Sequence, residues 1–165
     1  MSEITRRPPR LSASLATVLA TVSLLAVGTT GSTALAAGVA GLPLLGVGAF
    51  RGSRRAITYG AVLLVAGTLL GGVAGAGPEA LLVGLVAAVV AWDVGHFGVG
   101  VGEQLGREAR TGRLESVHFA GSLAVGAVTA GLGYAVFLAA GGGQPLVALV
   151  FLLVGGVFLV YALRR

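Results

Sequence analysis

At 165 residues the chain has the length for one compact unit and no second domain. Its residues are 56% hydrophobic and only 10% charged, with a mean hydropathy of +0.97; that leaves too little polar surface to cover a soluble globule, so lipid is the expected outer solvent. The eleven basic residues are all Arg and give a formal net charge of +5, but they lie in small groups between apolar runs, which argues against nucleic acid as a partner; the absence of Cys excludes disulfides, zinc–thiolate sites and redox thiols.

In chain order, residues 1–10 read as a cytoplasmic N-terminal tail carrying Arg6, Arg7 and Arg10. Arg6-Arg7, an apolar run and Ala34-Leu35-Ala36 also have the outline of a twin-arginine signal with a cleavage site. Pro8 and Pro9 fall where such signals carry other residues, and cleavage would cut into the second apolar run, so the tail reading is preferred.

A spanning helix needs ~20 mainly apolar residues. Six runs meet or approach that length, at about 11–29, 33–50, 57–76, 81–101, 117–140 and 145–163. Gly31-Ser32, Gly77-Pro78-Glu79 and Gly141-Gly142-Gly143-Gln144 separate them on one side. Pro78 and Pro145 suit a first helical turn, and Glu79 lies at the positive end of a helix dipole. On the other side lie Arg51–Arg55 and a longer polar loop, 102–116, which mixes Glu103, Glu108 and Glu115 with Arg107, Arg110 and Arg113. The expected fold class is therefore all-α: a polytopic membrane helical bundle of six transmembrane helices over residues 11–163. With six spans all eleven Arg fall on one side, which the positive-inside rule makes cytoplasmic, so both termini are expected there and the protein in the cell (plasma) membrane.

Small residues recur every four positions at Gly67, Gly71 and Gly75, at Ala87, Ala91 and Gly95, and at Ser122, Gly126 and Ala130. Such faces let helix backbones approach closely in lipid. They read as packing within one chain, with a homo-oligomer face as the alternative. Gly98-Val99-Gly100-Val101-Gly102 lacks the later Gly and the Lys-Ser/Thr of a phosphate loop, and reads as a flexible exit from the fourth helix.

The one polar constellation starts in that fourth run. Asp93, His96, Gly100, Glu103, Arg107 and Arg110 recur at helical spacing and would share one stripe on a continuous helix. His118 enters the fifth run at a similar depth, followed by Ser122, Gly126, Thr129 and Gly133, a face expected to pack on the Asp93 stripe. Asp93, His96, Glu103 and His118 thus form a candidate intramembrane polar cluster. In the structural reading Asp93 and His96 bond to each other or to a neighbouring helix, and Glu103 pairs with Arg107. In the alternatives Asp93 and His96 carry protons or an ion, or two His and two carboxylates hold a metal. Ser14, Thr17 and Thr21 read as hydroxyls bonded back to their own helix. Trp92, Tyr59, Tyr134 and Tyr161 read as anchors or packing groups. No catalytic set is visible and no cofactor is implied.

At Ala91-Trp92-Asp93-Val94-Gly95-His96 through Gly102-Glu103-Gln104-Leu105-Gly106-Arg107, and again from Glu115 to Gly121, the chain resembles an uncharacterised family of small haloarchaeal multi-pass membrane proteins. The Arg-for-Lys usage and the Gly/Ala/Val-rich helices are similar as well. The resemblance implies no activity and no functional residue. It implies neighbours of AAA-type ATPase and von Willebrand type, hence an envelope-associated assembly.

The expected function is a non-enzymatic subunit or scaffold of a membrane-associated complex, with the lipid bilayer, a membrane or cytoplasmic protein, or a second copy as partners. The alternative is a small ion- or proton-coupled transporter using Asp93, His96 and Glu103.

Overall fold

A computed structural model describes residues 7–106 and 109–139. Within them the chain forms α1 (Arg10–Val27), α2 (Ser32–Arg51), α3 (Arg54–Val73), α4 (Pro78–Leu105) and α5 (Gly112–Ala139). All five are long and apolar enough to cross a membrane. The expected sixth helix, 145–163, lies outside the described residues.

Residues up to Gly131 belong to one compact unit, and those from Leu132 onward to a second, of which the last turns of α5 are described. In those turns Tyr134 stacks on Phe137, 6.2 Å between centroids.

In the first unit α1 to α4 each pack on their chain neighbours, α4 closes back on α1, and α1 and α3 meet across the centre. The core is built mainly from small side chains. Ala13, Ala16 and Ala20 of α1 face Leu45 and Ala49 of α2, Ile57 and Leu64 of α3, and Ala88, Ala91 and Val94 of α4. Larger apolar residues point outward: Leu25, Leu69, Val73 and Val125 are all exposed, the inverse of a soluble protein.

Turn chemistry sets the helix ends. Gly52 (φ 78°) ends α2 in a left-handed conformation, with Ser53 N–H reaching back to Gly48 O at 2.9 Å. The Ser53 hydroxyl then caps α3 by accepting from Ala56 N–H at 3.3 Å. Gly75 (φ 96°) terminates α3, and Pro78 opens α4.

Two connections are tighter than the apolar runs suggest. Arg54 and Arg55 lie in the first turn of α3 rather than in a loop. The 102–116 loop shrinks to 106–111, because α4 continues to Leu105 and α5 begins at Gly112. The glycine run 98–102 is therefore helix, not a flexible exit. Two of its glycines are contact points for α1 and the residues before it: a Cβ on Gly98 would come within 2.6 Å of Ser12 Cβ, and one on Gly102 within 2.5 Å of Arg7 O. Tertiary packing overrides the low helix propensity of Gly here.

Candidate functional site

Because α1, α3 and α5 begin where α2 and α4 end, one end of the bundle collects Arg7, Arg10, Arg51, Arg54, Arg55, Arg110 and Arg113. The polar groups of α4 and α5 start at that end and run inward.

The α4 stripe divides between two neighbours. Asp93 faces α5, where its Oδ2 accepts from His118 Nε2 at 2.9 Å and from the Ser122 hydroxyl at 2.5 Å. Phe97 stacks on the His118 ring at 3.8 Å and 8°, which fixes the plane of the imidazole. His96 and Glu103 face α3 instead. His96 Nδ1 lies 3.0 Å from Trp92 O, so that nitrogen carries the hydrogen, and Nε2 lies 3.4 Å from Thr58 Oγ1. The Trp92 indole also donates to Thr58, at 3.3 Å. Glu103 pairs with Arg54 of α3 at 2.9 Å; the expected partner, Arg107, lies outside the described residues. Both partners of that pair are exposed, which makes it a weak contributor to stability.

Asp93 and His96 are thus not bonded to each other. They use opposite flanks of α4, and His96 and His118 serve different helix pairs. Among the described residues no three His, Asp or Glu side chains converge as metal ligands. Ser14, Thr17 and Thr21 bond back to Leu11, Ala13 and Thr17 carbonyls at 2.9, 2.8 and 3.0 Å.

A second polar knot involves a residue that the charge pattern hides. Glu115, in the first turn of α5, is 3% exposed. Its Oε2 accepts from the Ser12 backbone N–H at 2.8 Å and the Ser12 hydroxyl at 2.7 Å, and its Oε1 accepts from the Thr111 hydroxyl at 2.7 Å. Pro9 occupies the N-cap of α1 and offers no side-chain cap. The carboxylate of another helix takes that role, and its charge lies at the positive ends of both α1 and α5. The sequence signal for it was Pro9 at a helix start with a carboxylate in the first turn of a helix starting at the same end.

No curated protein and no solved structure matches the chain. Residues 6–160 match the model of a family of unknown function, DUF7519, and the chain belongs to that family.

Proposed function

We propose that this chain is a multi-pass protein of the plasma membrane and acts as a non-enzymatic subunit or scaffold of a membrane-associated complex. One observation carries the reading. The polar side chains of the bundle join helix to helix: Asp93 to α5, His96 and Glu103 to α3, and Glu115 to α1. Groups used in this way hold an assembly together; among the described residues they do not line a continuous path through it. The shared Arg end supports a cytoplasmic location for that end. With a sixth span at the apolar run 145–163, both termini are cytoplasmic. The Arg-for-Lys usage keeps the haloarchaeal likeness within this proposal.

The contact surface in this reading is the short 106–111 connection and the exposed Arg110, Arg113 and Leu114 beside it. The test is purification from native membranes in mild detergent followed by mass measurement of the intact complex. A stoichiometric membrane or cytoplasmic partner, lost in the Arg110→Gln/Arg113→Gln variant, is expected. That substitution leaves the buried Glu115 in place. A homo-oligomer with no second component would overturn the reading.

A transporter is the second reading, and the half-exposed Asp93–His118 pair favours it. It would rest on Asp93 and His118, with His96 and Glu103 on the other flank. Proton flux into liposomes that disappears in Asp93→Asn, with expression intact, would establish it.

A further inference from the structure

A groove of about 660 Å³ runs between α4 and α5, within the range of ligand-binding cavities. Its ionisable groups stand at one end, and the Thr129 hydroxyl lies at the other. Asp93, His118 and Ser122 mark the first end, and Val86, Val90 and Val125 line the apolar remainder. From His118 to Thr129 the lining on α5 extends over about 16 Å at 1.5 Å per residue.

Among the described residues the polar end keeps two groups without a hydrogen bond. Both donors, His118 Nε2–H and Ser122 Oγ–H, go to the same carboxylate oxygen, Oδ2. Among the described residues neither Asp93 Oδ1 nor His118 Nδ1 has a hydrogen-bond partner. The two side chains remain 39% and 30% exposed. With Nε2–H directed at the carboxylate, Nδ1 of a neutral ring is an acceptor. With the ring in that form, Asp93 Oδ1 and His118 Nδ1 both face the groove as acceptors. Along α4, Asp93 lies ten residues from Glu103, about 15 Å, and along α5 His118 lies five residues from Arg113, about 7.5 Å, so the pair stands below the Arg-bearing end and within the apolar runs. Acceptors left open in an apolar surrounding are costly, and a donor arriving with an apolar body relieves both terms.

We propose that this groove binds a single-chain amphiphile. Its hydrocarbon tail lies along Val86, Val90 and Val125, and its hydrogen-bond-donating head, hydroxyl or amino, rests on Asp93 Oδ1 and His118 Nδ1. The inference stands apart from the subunit reading: a scaffold or a transporter could equally carry it.

The test uses the full chain in phosphatidylcholine nanodiscs with a long-chain alcohol bearing a diazirine in its tail. Cross-links are expected to concentrate on residues 85–93 and 117–129. The unlabelled alcohol, the matching amine and the matching methyl ether then compete. Displacement by the alcohol assigns a hydroxyl head and displacement by the amine an amino head; the ether, which has no donor, is expected to be inert. Gly121 lines the groove, and a Cβ there meets nothing within 4 Å, so Gly121→Leu has room to start a side chain that adds bulk to the groove. It is expected to abolish the focused labelling while leaving elution and melting unchanged. His118→Phe keeps the ring stack, removes the Nδ1 acceptor and leaves Asp93 with the Ser122 hydroxyl as its donor. Its expected effect is about tenfold weaker labelling, the loss of one good buried hydrogen bond. Labelling spread evenly over the exposed faces, equal displacement by the ether, or focused labelling that survives Gly121→Leu would each overturn the proposal.

Discussion

Glu115 is the side chain on which the junction of α1 and α5 most depends. It receives two hydrogen bonds from Ser12 and one from Thr111 while almost fully buried. Removing it leaves a backbone N–H and two hydroxyls without their acceptor, at a place where α1 has no cap of its own. Glu115→Ala is therefore expected to lower stability by about 3 kcal/mol, and Glu115→Gln, which keeps an acceptor but loses the charge, by roughly half that. Denaturant titration in detergent micelles measures both. A double-mutant cycle with Ser12→Ala should return a coupling of about 1 kcal/mol. If Glu115→Ala melts like the parent chain, the cap is not what joins the helices. The two carboxylates differ in how far sequence reveals them. Asp93 interrupts an apolar run, so a partner is required of it, and His118 and Ser122 stand at a matching depth on the next helix. Glu115 sits in a stretch of alternating Glu and Arg that looks like a solvated surface. Its partner on α1, Ser12, is 103 residues away, and the local partner, Thr111, does not by itself mark the carboxylate as buried.

At the scale of helices, close approach is concentrated where glycine meets backbone. A Cβ on Gly60 of α3 would overlap the backbone nitrogen of Leu45 and lie 2.8 Å from Gly41 O, both on α2. Neither backbone atom can swing aside. Gly60→Ala is expected to force α2 and α3 apart and to cost about 1–3 kcal/mol. Gly131 has nothing within 4 Å of its Cβ position, so Gly131→Ala should be neutral or stabilising by up to about 1 kcal/mol through helix propensity. The pair of melting curves separates a packing glycine from a merely tolerated one; equal shifts would mean that α2 and α3 are not in contact at Gly60. Gly67 and Gly71, visible from their spacing, do pack within the chain, against Ala34 O and against Val27. Gly75, next in the same series, is instead the left-handed residue after α3 with open space around it. The Gly41–Gly60 crossing carries no such periodic mark. Helix existence was legible because lipid demands long apolar runs. Helix ends were less so: α4 passes through its glycine run because Ser12 and Arg7 press against Gly98 and Gly102, a contact that only the assembled bundle supplies.

For the whole molecule the distribution of charge is the ground for the proposed orientation. The connections at 28–31 and 74–77 carry no Arg, whereas the 52–53 turn and the 106–111 connection are flanked by Arg51, Arg54, Arg55, Arg110 and Arg113. Each Arg near an anionic leaflet gains about 1 kcal/mol, so the proposed orientation, with the Arg end inside, makes a labelling pattern that can be checked. The chain has no cysteine of its own, which gives single-cysteine labelling no background. Thr29→Cys and Ala76→Cys should react with a membrane-impermeant maleimide on intact cells. Ser53→Cys and Ala109→Cys should react only after the membrane is permeabilised. The reverse pattern would place the Arg end outside and remove the support for a cytoplasmic contact at Arg110 and Arg113. Labelling of Ala76→Cys and Ser53→Cys from the same side would mean that α3 does not cross at all. Because Arg54 pairs with Glu103 across α3 and α4, Ser53 and Ala109 must share their outcome if that end of the bundle is as described.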